Sequence, residues 1–155
     1  MQRLFRYNWQ VREEWFETLA GLPQEGLLKE RTGGVRTILY TMYHIVDTEY
    51  SWLAALQGKP EPPEEYGRYD TLAKVRELSA AYRPSLISFL DSWTPEQDSR
   101  IFESERGGRT HRFSHGEVLH HAAAHEIHHI GQLSVWAREL DLAPVNANLI
   151  SRGLT

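Results

Sequence analysis

The sequence contains no cysteine among its 155 residues. This absence excludes disulfide bonds, a cysteine nucleophile and thiolate metal ligands, so a metal site has to be built from His, Asp, Glu and water. The sequence also lacks an apolar run near the roughly 18–20 residues that a membrane-spanning helix needs. Its first residues lack the basic-then-apolar pattern of a secretory signal. We therefore expect a cytoplasmic protein with no membrane partner.

An excess of positive charge is also absent. The formal net charge is −4, which argues against a surface that binds nucleic acid through phosphate contacts. The local basic stretch at residues 100–112 is more typical of a solvated hairpin than of a nucleic-acid site. The chain has no internal repeat or low-complexity tract, and its length suits one hydrophobic core. We therefore expect a single domain over residues 1–155.

Four segments have the apolar spacing of amphipathic helices, and loops with Gly and Pro separate them. The predicted helices run from about Arg3 to Ala20, Val35 to Gln57, Thr71 to Trp93 and Ser114 to Leu140. Pro84 inside the third segment predicts either a kink or two shorter helices. Long helices with short connections predict an all-α protein, an antiparallel four-helix bundle.

The segment before the last helix has a different pattern. Gly107-Gly108 lies between Ile101–Glu103 and Thr110–Phe113, which predicts a short β-hairpin. Ser114 and Glu117 fit the capping box, in which each side chain binds the backbone of the other residue. The last helix is therefore expected to begin directly after the hairpin.

Five of the eight histidines fall within residues 120–129 of this last helix. At ~100° per residue, one face carries a core-like stripe. The stripe consists of Val118, Ala122, His125, His129, Gln132 and Trp136. His125 and His129 are thus predicted to point into the core one turn apart. His120 lies on the opposite, solvated side, whereas His121 and His128 flank the stripe and are assigned to neither side.

Two imidazoles in an apolar core need polar partners, and residues four apart on a helix can share one ion at bond lengths near ~2.1 Å. In the second helix, His44 lies on a polar stripe, while most of the remaining circumference is apolar. The stripe consists of Thr37, Tyr40, Thr41, His44, Asp47, Thr48 and Ser51. We predict that this stripe faces an internal polar cavity and that His44, His125 and His129 share one divalent ion. The same pattern also fits hydrogen-bonded core histidines without an ion.

The segment His125–His129 also matches HExxH, the zinc-protease helix in which the glutamate activates water. We regard this interpretation as less favoured, because such enzymes usually take a third ligand from downstream and no histidine follows His129. Glu126 is then either a group that supports the ligands or a surface charge.

Three segments resemble the DinB/YfiT-like family of bacterial metalloenzymes, over essentially the whole chain. They are Tyr7-Asn8-Trp9, the second-helix segment 39–53 with its single His44, and residues 125–133, which match the family's HExxHxGQ signature. The resemblance implies a four-helix bundle, usually a homodimer, with a nickel, zinc or similar ion held by His44, His125 and His129. Five tryptophans in a short chain also favour dimerisation.

A three-histidine site leaves an open coordination position, which favours catalysis over a structural role. Together with the resemblance, it predicts a metal-dependent transferase that uses a low-molecular-weight thiol of the bacillithiol type on a small-molecule substrate. A metal-dependent hydrolase that activates water is an alternative. A non-catalytic, metal-stabilised stress-response module is another. The sequence names neither the substrate nor the catalytic acid–base residues, and imidazole ligands do not select one metal.

Overall fold

The computed structural model of the protein describes residues 1–60, 62–63 and 65–154, without the side chain of Arg106. This part of the chain is mostly helical, with five α-helices and one two-stranded antiparallel sheet. The helices are α1 (Gln2–Leu19), α2 (Gln24–Leu28), α3 (Ile38–Leu56), α4 (Leu72–Asp91) and α5 (His115–Glu139). The strands are β1 (Ile101–Arg106) and β2 (Arg109–Ser114).

Side-chain caps begin three of the long helices. The Thr37 hydroxyl accepts a hydrogen bond from the backbone of Tyr40 at 3.1 Å, so α3 begins three residues later than predicted. Ser114 accepts from the backbone of Glu117 at 3.1 Å, and the Glu117 carboxylate accepts from the backbone of Ser114 at 2.7 Å. The predicted capping box of the last helix is therefore confirmed.

Two features of the helices differ from the expectation. The short helix α2 was not predicted; it follows Pro23 and buries Leu27. Pro84 lies inside α4 and does not divide it, so the alternative of two shorter helices is wrong. Pro84 and Ala80 are both exposed, which lets water bind the carbonyl that the proline leaves without a donor. Positions 61 and 64, between the second and third predicted helices, lie outside the described residues.

The four long helices pack around two clusters of buried apolar side chains. Helix α3 packs against α5 and α4, and α1 packs against α4 and α5. Trp15 and Phe16 of α1 meet Leu39 and Met42 of α3 in the larger core cluster, and all four side chains are almost completely buried. This packing holds α3 and α5, the two histidine-bearing helices, side by side. Within the described residues, no helix is both long and apolar enough to cross a membrane.

The predicted β-hairpin is confirmed. Its register pairs Ile101 with Ser114 and Arg106 with Arg109. Gly107 and Gly108, with φ of 58° and 72°, supply the two positive φ angles that a two-residue turn of this hand needs. The hairpin leads directly into α5, so its position depends on the start of that helix.

Candidate metal centre

The side chains of His44, His125 and His129 meet between α3 and α5. His125 Nε2 lies 3.0 Å from His44 Nε2 and 3.1 Å from His129 Nε2. One ring nitrogen from each histidine lies within 4.8 Å of the others, an arrangement that could hold a metal ion. Two imidazole nitrogens bound to one ion at about 2.1 Å lie roughly 3–3.4 Å apart. The spacing therefore fits a shared cation.

An oxygen lies within hydrogen-bond distance of Nδ1 in two of the three rings. His129 Nδ1 lies 2.7 Å from Gln132 Oε1, and His44 Nδ1 lies 3.3 Å from the Thr48 hydroxyl. An Nδ1–H that donates to such an oxygen leaves a lone pair on Nε2. Both Nε2 lone pairs face His125 Nε2, where a single proton can bridge only one of the two contacts. A cation satisfies all three nitrogens, so the donor set fits a metal ion.

The rings of His125 and His129 lie in surroundings that favour neutral imidazole. Burial, together with the nearby His129 and His44 rings, lowers the pKa of His125 to about 3. Burial also lowers the pKa of His129. Neutral imidazole is the form that binds metals. At neutral pH these two residues are therefore already in the protonation state that a metal site requires.

A cavity of about 530 Å³ opens beside His44 and His125. Its lining comes from α3, α5 and the hairpin. The lining residues are His44, Asp47, Thr48, Ser51, Trp52, Ala55, Phe102, Ser104, Glu105, His121 and His125. Four of the seven residues of the predicted polar stripe of α3 are among them, so this part of the stripe faces a cavity. The volume is within the usual range of small-molecule sites.

The other histidines of α5 have separate surroundings. His120 is exposed, as predicted, and its Nδ1 lies 2.6 Å from the Gly116 carbonyl. His121 lines the cavity, and its ring meets the Trp52 ring edge-on at 5.5 Å. His128 is exposed and accepts a hydrogen bond from Gln132 Nε2 at 3.0 Å. The helical pattern assigned His121 and His128 to neither side. In the structure His121 lines the cavity, whereas His128 is not part of the lining.

Glu126, the glutamate of the HExxH match, is 1% exposed. Its two oxygens accept from Arg12 Nε at 2.8 Å and Arg12 Nη2 at 2.5 Å. The interpretation of Glu126 as a surface charge is therefore wrong. A carboxylate held by both oxygens in a buried ion pair is also poorly placed to activate water, which removes the main support for the zinc-protease interpretation.

The buried ion pair belongs to a larger network. Glu49 of α3 lies 3.0 Å from Arg12 Nη2 and accepts from Trp9 Nε1 at 2.9 Å. Burial raises the pKa of Glu49 to about 7 against the lowering effect of Arg12, and Glu126 adds to the rise. Burial opposes the charge of Arg12, but the two carboxylates outweigh it and raise the pKa of Arg12. The network ties α1 to both histidine-bearing helices.

Sequence reasoning missed Arg12 and Glu49. The signal was present, because Arg12 continues the α1 stripe of Phe5, Trp9 and Phe16 at steps of three and four. A charged residue inside an apolar stripe has to find a buried partner. Applied to α1 and α3, that rule indicates that Arg12 and Glu49 each need a buried partner of opposite charge.

Comparison with known proteins identifies the family. The DinB family model matches residues 1–152. The chain belongs to the DinB family. It is 48% identical over 155 residues to the uncharacterised protein YizA of Bacillus subtilis strain 168, covering 99% of this chain and 96% of that protein.

Two solved structures share the fold. A DinB-like protein from Bacillus cereus ATCC 10987 superposes with a TM-score of 0.58 at 23% identity, covering 89% of this chain and 91% of that one. The DinB-like protein YjoA from Bacillus subtilis gives a TM-score of 0.64 at 18% identity, covering 94% and 96%. At these identities the likeness concerns the fold alone.

Proposed function

We propose that this protein is a divalent-metal-dependent enzyme whose ion is held by His44, His125 and His129. The observation that carries the proposal is the meeting of three ring nitrogens within 4.8 Å at the edge of a cavity. Three neutral ligands leave the full double charge on the ion, and zinc and nickel both accept imidazole. When bound, the ion would act as a Lewis acid that favours deprotonation of a thiol or a water.

The reaction that we propose is S-transfer from a low-molecular-weight thiol of the bacillithiol type to a small electrophile. A sulfur–carbon bond forms, the bond between that carbon and its leaving group breaks, and the thiol proton leaves with the departing group. The cavity of about 530 Å³ has room for both molecules' reacting parts. The chain contributes orientation and partial exclusion of water, with Trp52 and Phe102 as the apolar wall and Ser51 and Asp47 on the polar side.

The position of Glu126 removes one candidate base for a hydrolase, while Asp47 and Glu105 also line the cavity. Hydrolysis needs a base that takes a proton from water within hydrogen-bond reach. Glu126, the carboxylate nearest in sequence to the ligands, is bound by Arg12 through both oxygens. A thiol ionises far more readily than water, so it depends less on such a base.

The test compares metal-loaded protein with its His125→Ala and His120→Ala variants. Each is incubated with bacillithiol and a chromogenic aryl halide, and thioether formation is followed. We expect turnover in the wild type and in His120→Ala, and none in His125→Ala or after chelation. Product formation without thiol would support the hydrolase and contradict the transferase. A metal that raises the melting temperature without any turnover would overturn the enzymatic proposal in favour of a binding module.

We also propose that the four long helices form an antiparallel bundle and that the protein is a homodimer. The bundle is supported by the contacts of α1 and α3 with both α4 and α5. The dimer is supported by Ile127 and Val135, which expose 38% and 56% of their surface on the outer side of α5. Light scattering at micromolar concentration tests the dimer, and a monomeric mass would contradict it.

A further inference from the structure

A second cavity, of about 820 Å³, shares no lining residue with the cavity at the histidines. It lies where α1 and α4 meet residues 153–154. Its lining consists of Gln2, Arg3, Arg6, Trp9, Gln10, Glu13, Arg83, Ile87, Gly153 and Leu154. Three of these residues are arginines, in a protein whose net charge is −4. The cavity is therefore rich in positive charge, although the net charge of the protein is negative.

Arg83 is the central residue of this cavity. Its guanidinium carbon lies 5.7 Å from the centre of the Trp9 ring, and its Nε is buried without a hydrogen-bond partner among the described residues. Buried N–H donors in folded proteins are nearly always paired. The Trp9 ring holds the Arg83 guanidinium at the cavity, and a guanidinium held in this way is suited to bind an oxyanion.

The other charged groups of the cavity do not satisfy Arg83. Arg6 makes a loose pair with Asp91 at 3.5 Å, with both side chains about half exposed at 55% and 51%. Arg3 makes no ion pair within the described ranges. Among the described residues that line the cavity, Glu13 is the one acidic side chain, and it already accepts from Arg76. Behind the Trp9 ring, the buried carboxylate of Glu49 is bound to Trp9 Nε1 rather than to Arg83.

We propose that this cavity binds an oxyanion, a phosphate or carboxylate group of a small organic molecule. The Arg83 guanidinium donates to the oxyanion, and Arg3 and Arg6 supply further positive charge. Ile87, which is 36% exposed, contacts the carbon part of the ligand. Guanidinium groups match planar or tetrahedral oxyanions through paired N–H donors, which is why arginine is common in such sites. This second site is independent of the function proposed for the histidines.

Isothermal titration calorimetry with inorganic phosphate, and separately with acetate, tests the proposal at constant ionic strength set with sodium chloride. We expect at least one of the two oxyanions to bind the wild type. The Arg83→Gln variant should bind about tenfold more weakly, a change of about 1.4 kcal/mol. Arg138→Gln removes the same charge from α5, outside the cavity lining, and should bind like the wild type.

Because Arg83 packs on Trp9, weaker binding by Arg83→Gln has a folding defect as its alternative explanation. A second variant, which leaves Arg83 in place, separates the two explanations. Arg3→Gln/Arg6→Gln changes two exposed side chains and should weaken binding while leaving the circular dichroism spectrum unchanged. His125→Ala excludes binding at the histidines and should keep wild-type affinity for the anion. The proposal is overturned if neither oxyanion binds the wild type, or if removing these arginines leaves the affinity unchanged.

Discussion

Gln132 fixes the proton position on His129. Its Oε1 lies 2.7 Å from His129 Nδ1, and its Nε2 donates to His128 Nε2 at 3.0 Å. The second bond orients the amide, so the oxygen faces His129 and accepts from Nδ1–H. His129 Nε2 is thereby left with its lone pair toward His44 and His125. One glutamine outside the candidate ligand set thus favours the His129 tautomer that can bind a metal.

The loop before α3 holds this amide in place. Gly34 has a φ of 60°, and a Cβ at this position would lie 2.7 Å from Gln132 Oε1 and 2.8 Å from the Trp136 ring. Only glycine allows the backbone to come so close with this φ. The loop therefore packs directly on the group that orients His129.

Replacing Gln132 should weaken metal binding without removing a ligand. In Gln132→Leu, His129 Nδ1–H loses its acceptor, so we expect the affinity for zinc to fall roughly 10–100-fold. Competition with a chromogenic chelator measures the change. Gln132→Glu keeps an acceptor at the same place and should retain at least the wild-type affinity. Equal affinities for the wild type and Gln132→Leu would contradict this role.

Metal content should depend on His125 and be independent of His120. Both are histidines of α5, but His125 Nε2 lies at the centre of the three-histidine cluster and His120 is exposed on another face. We expect protein purified without chelator to carry close to one divalent ion per chain. His125→Ala should lose most of it and His120→Ala should keep it, as measured by inductively coupled plasma mass spectrometry. Equal metal content in the two variants would show that the ion lies elsewhere.

Helical periodicity predicted the helix faces on which the three histidines lie. His125 and His129 lie on the apolar stripe of α5, and His44 lies on a polar stripe of an otherwise apolar helix, so each side chain had one direction in which to point. The start of the last helix followed from local capping chemistry at Ser114. These features are set by residues within a few positions of one another, whereas the meeting of His44 with His125 joins residues 81 positions apart.

The remaining parts of the site depend on contacts between distant segments. Phe102 of the hairpin meets Trp52 of α3 with ring centres 6.4 Å apart, and no local pattern places that hairpin beside the cavity. The burial of Glu126 follows from its pairing with Arg12, 114 positions away. The sequence alone left Glu126 as either a group that supports the ligands or a surface charge. The burial of a charged residue such as Glu126 depends on a partner that is distant in the sequence.

Removing Arg12 should destabilise the fold strongly. Arg12 is 2% exposed and pairs with Glu126 and Glu49, which are 1% and 2% exposed. In Arg12→Met two buried carboxylates lose their counter-charge, so we expect the free energy of unfolding to fall by about 3–5 kcal/mol. Urea denaturation measures the loss.

The control for this prediction is Arg76→Met, which breaks the exposed pair of Arg76 with Glu13. Exposed pairs contribute about 1 kcal/mol or less. If Arg12→Met were as mild as Arg76→Met, the buried network would not hold α1 to the histidine-bearing helices in the way that its geometry indicates.

Glu49 should make the stability of the protein depend on pH. Burial raises its pKa from the ordinary 4.5 to about 7. A carboxyl group with a higher pKa when folded binds its proton more tightly in the folded state, so its contribution is fully present below pH 4.5 and is lost as pH rises toward 7. The low pKa of His125 acts in the opposite direction, because neutral His125 favours the folded state as pH rises. The two effects overlap in the pH profile of the wild type.

The Glu49→Gln variant separates them, because it keeps His125 and removes the titrating carboxyl group. The stability of the wild type minus that of Glu49→Gln should decrease from pH 4.5 to pH 7, by at most about 1.4 kcal/mol per pH unit, and level off above. Urea denaturation at intervals across this range measures it, with the exposed Glu77→Gln as the control for removing a surface carboxylate. A difference that increases with pH would mean that Arg12 outweighs burial and that Glu49 is held as a carboxylate throughout.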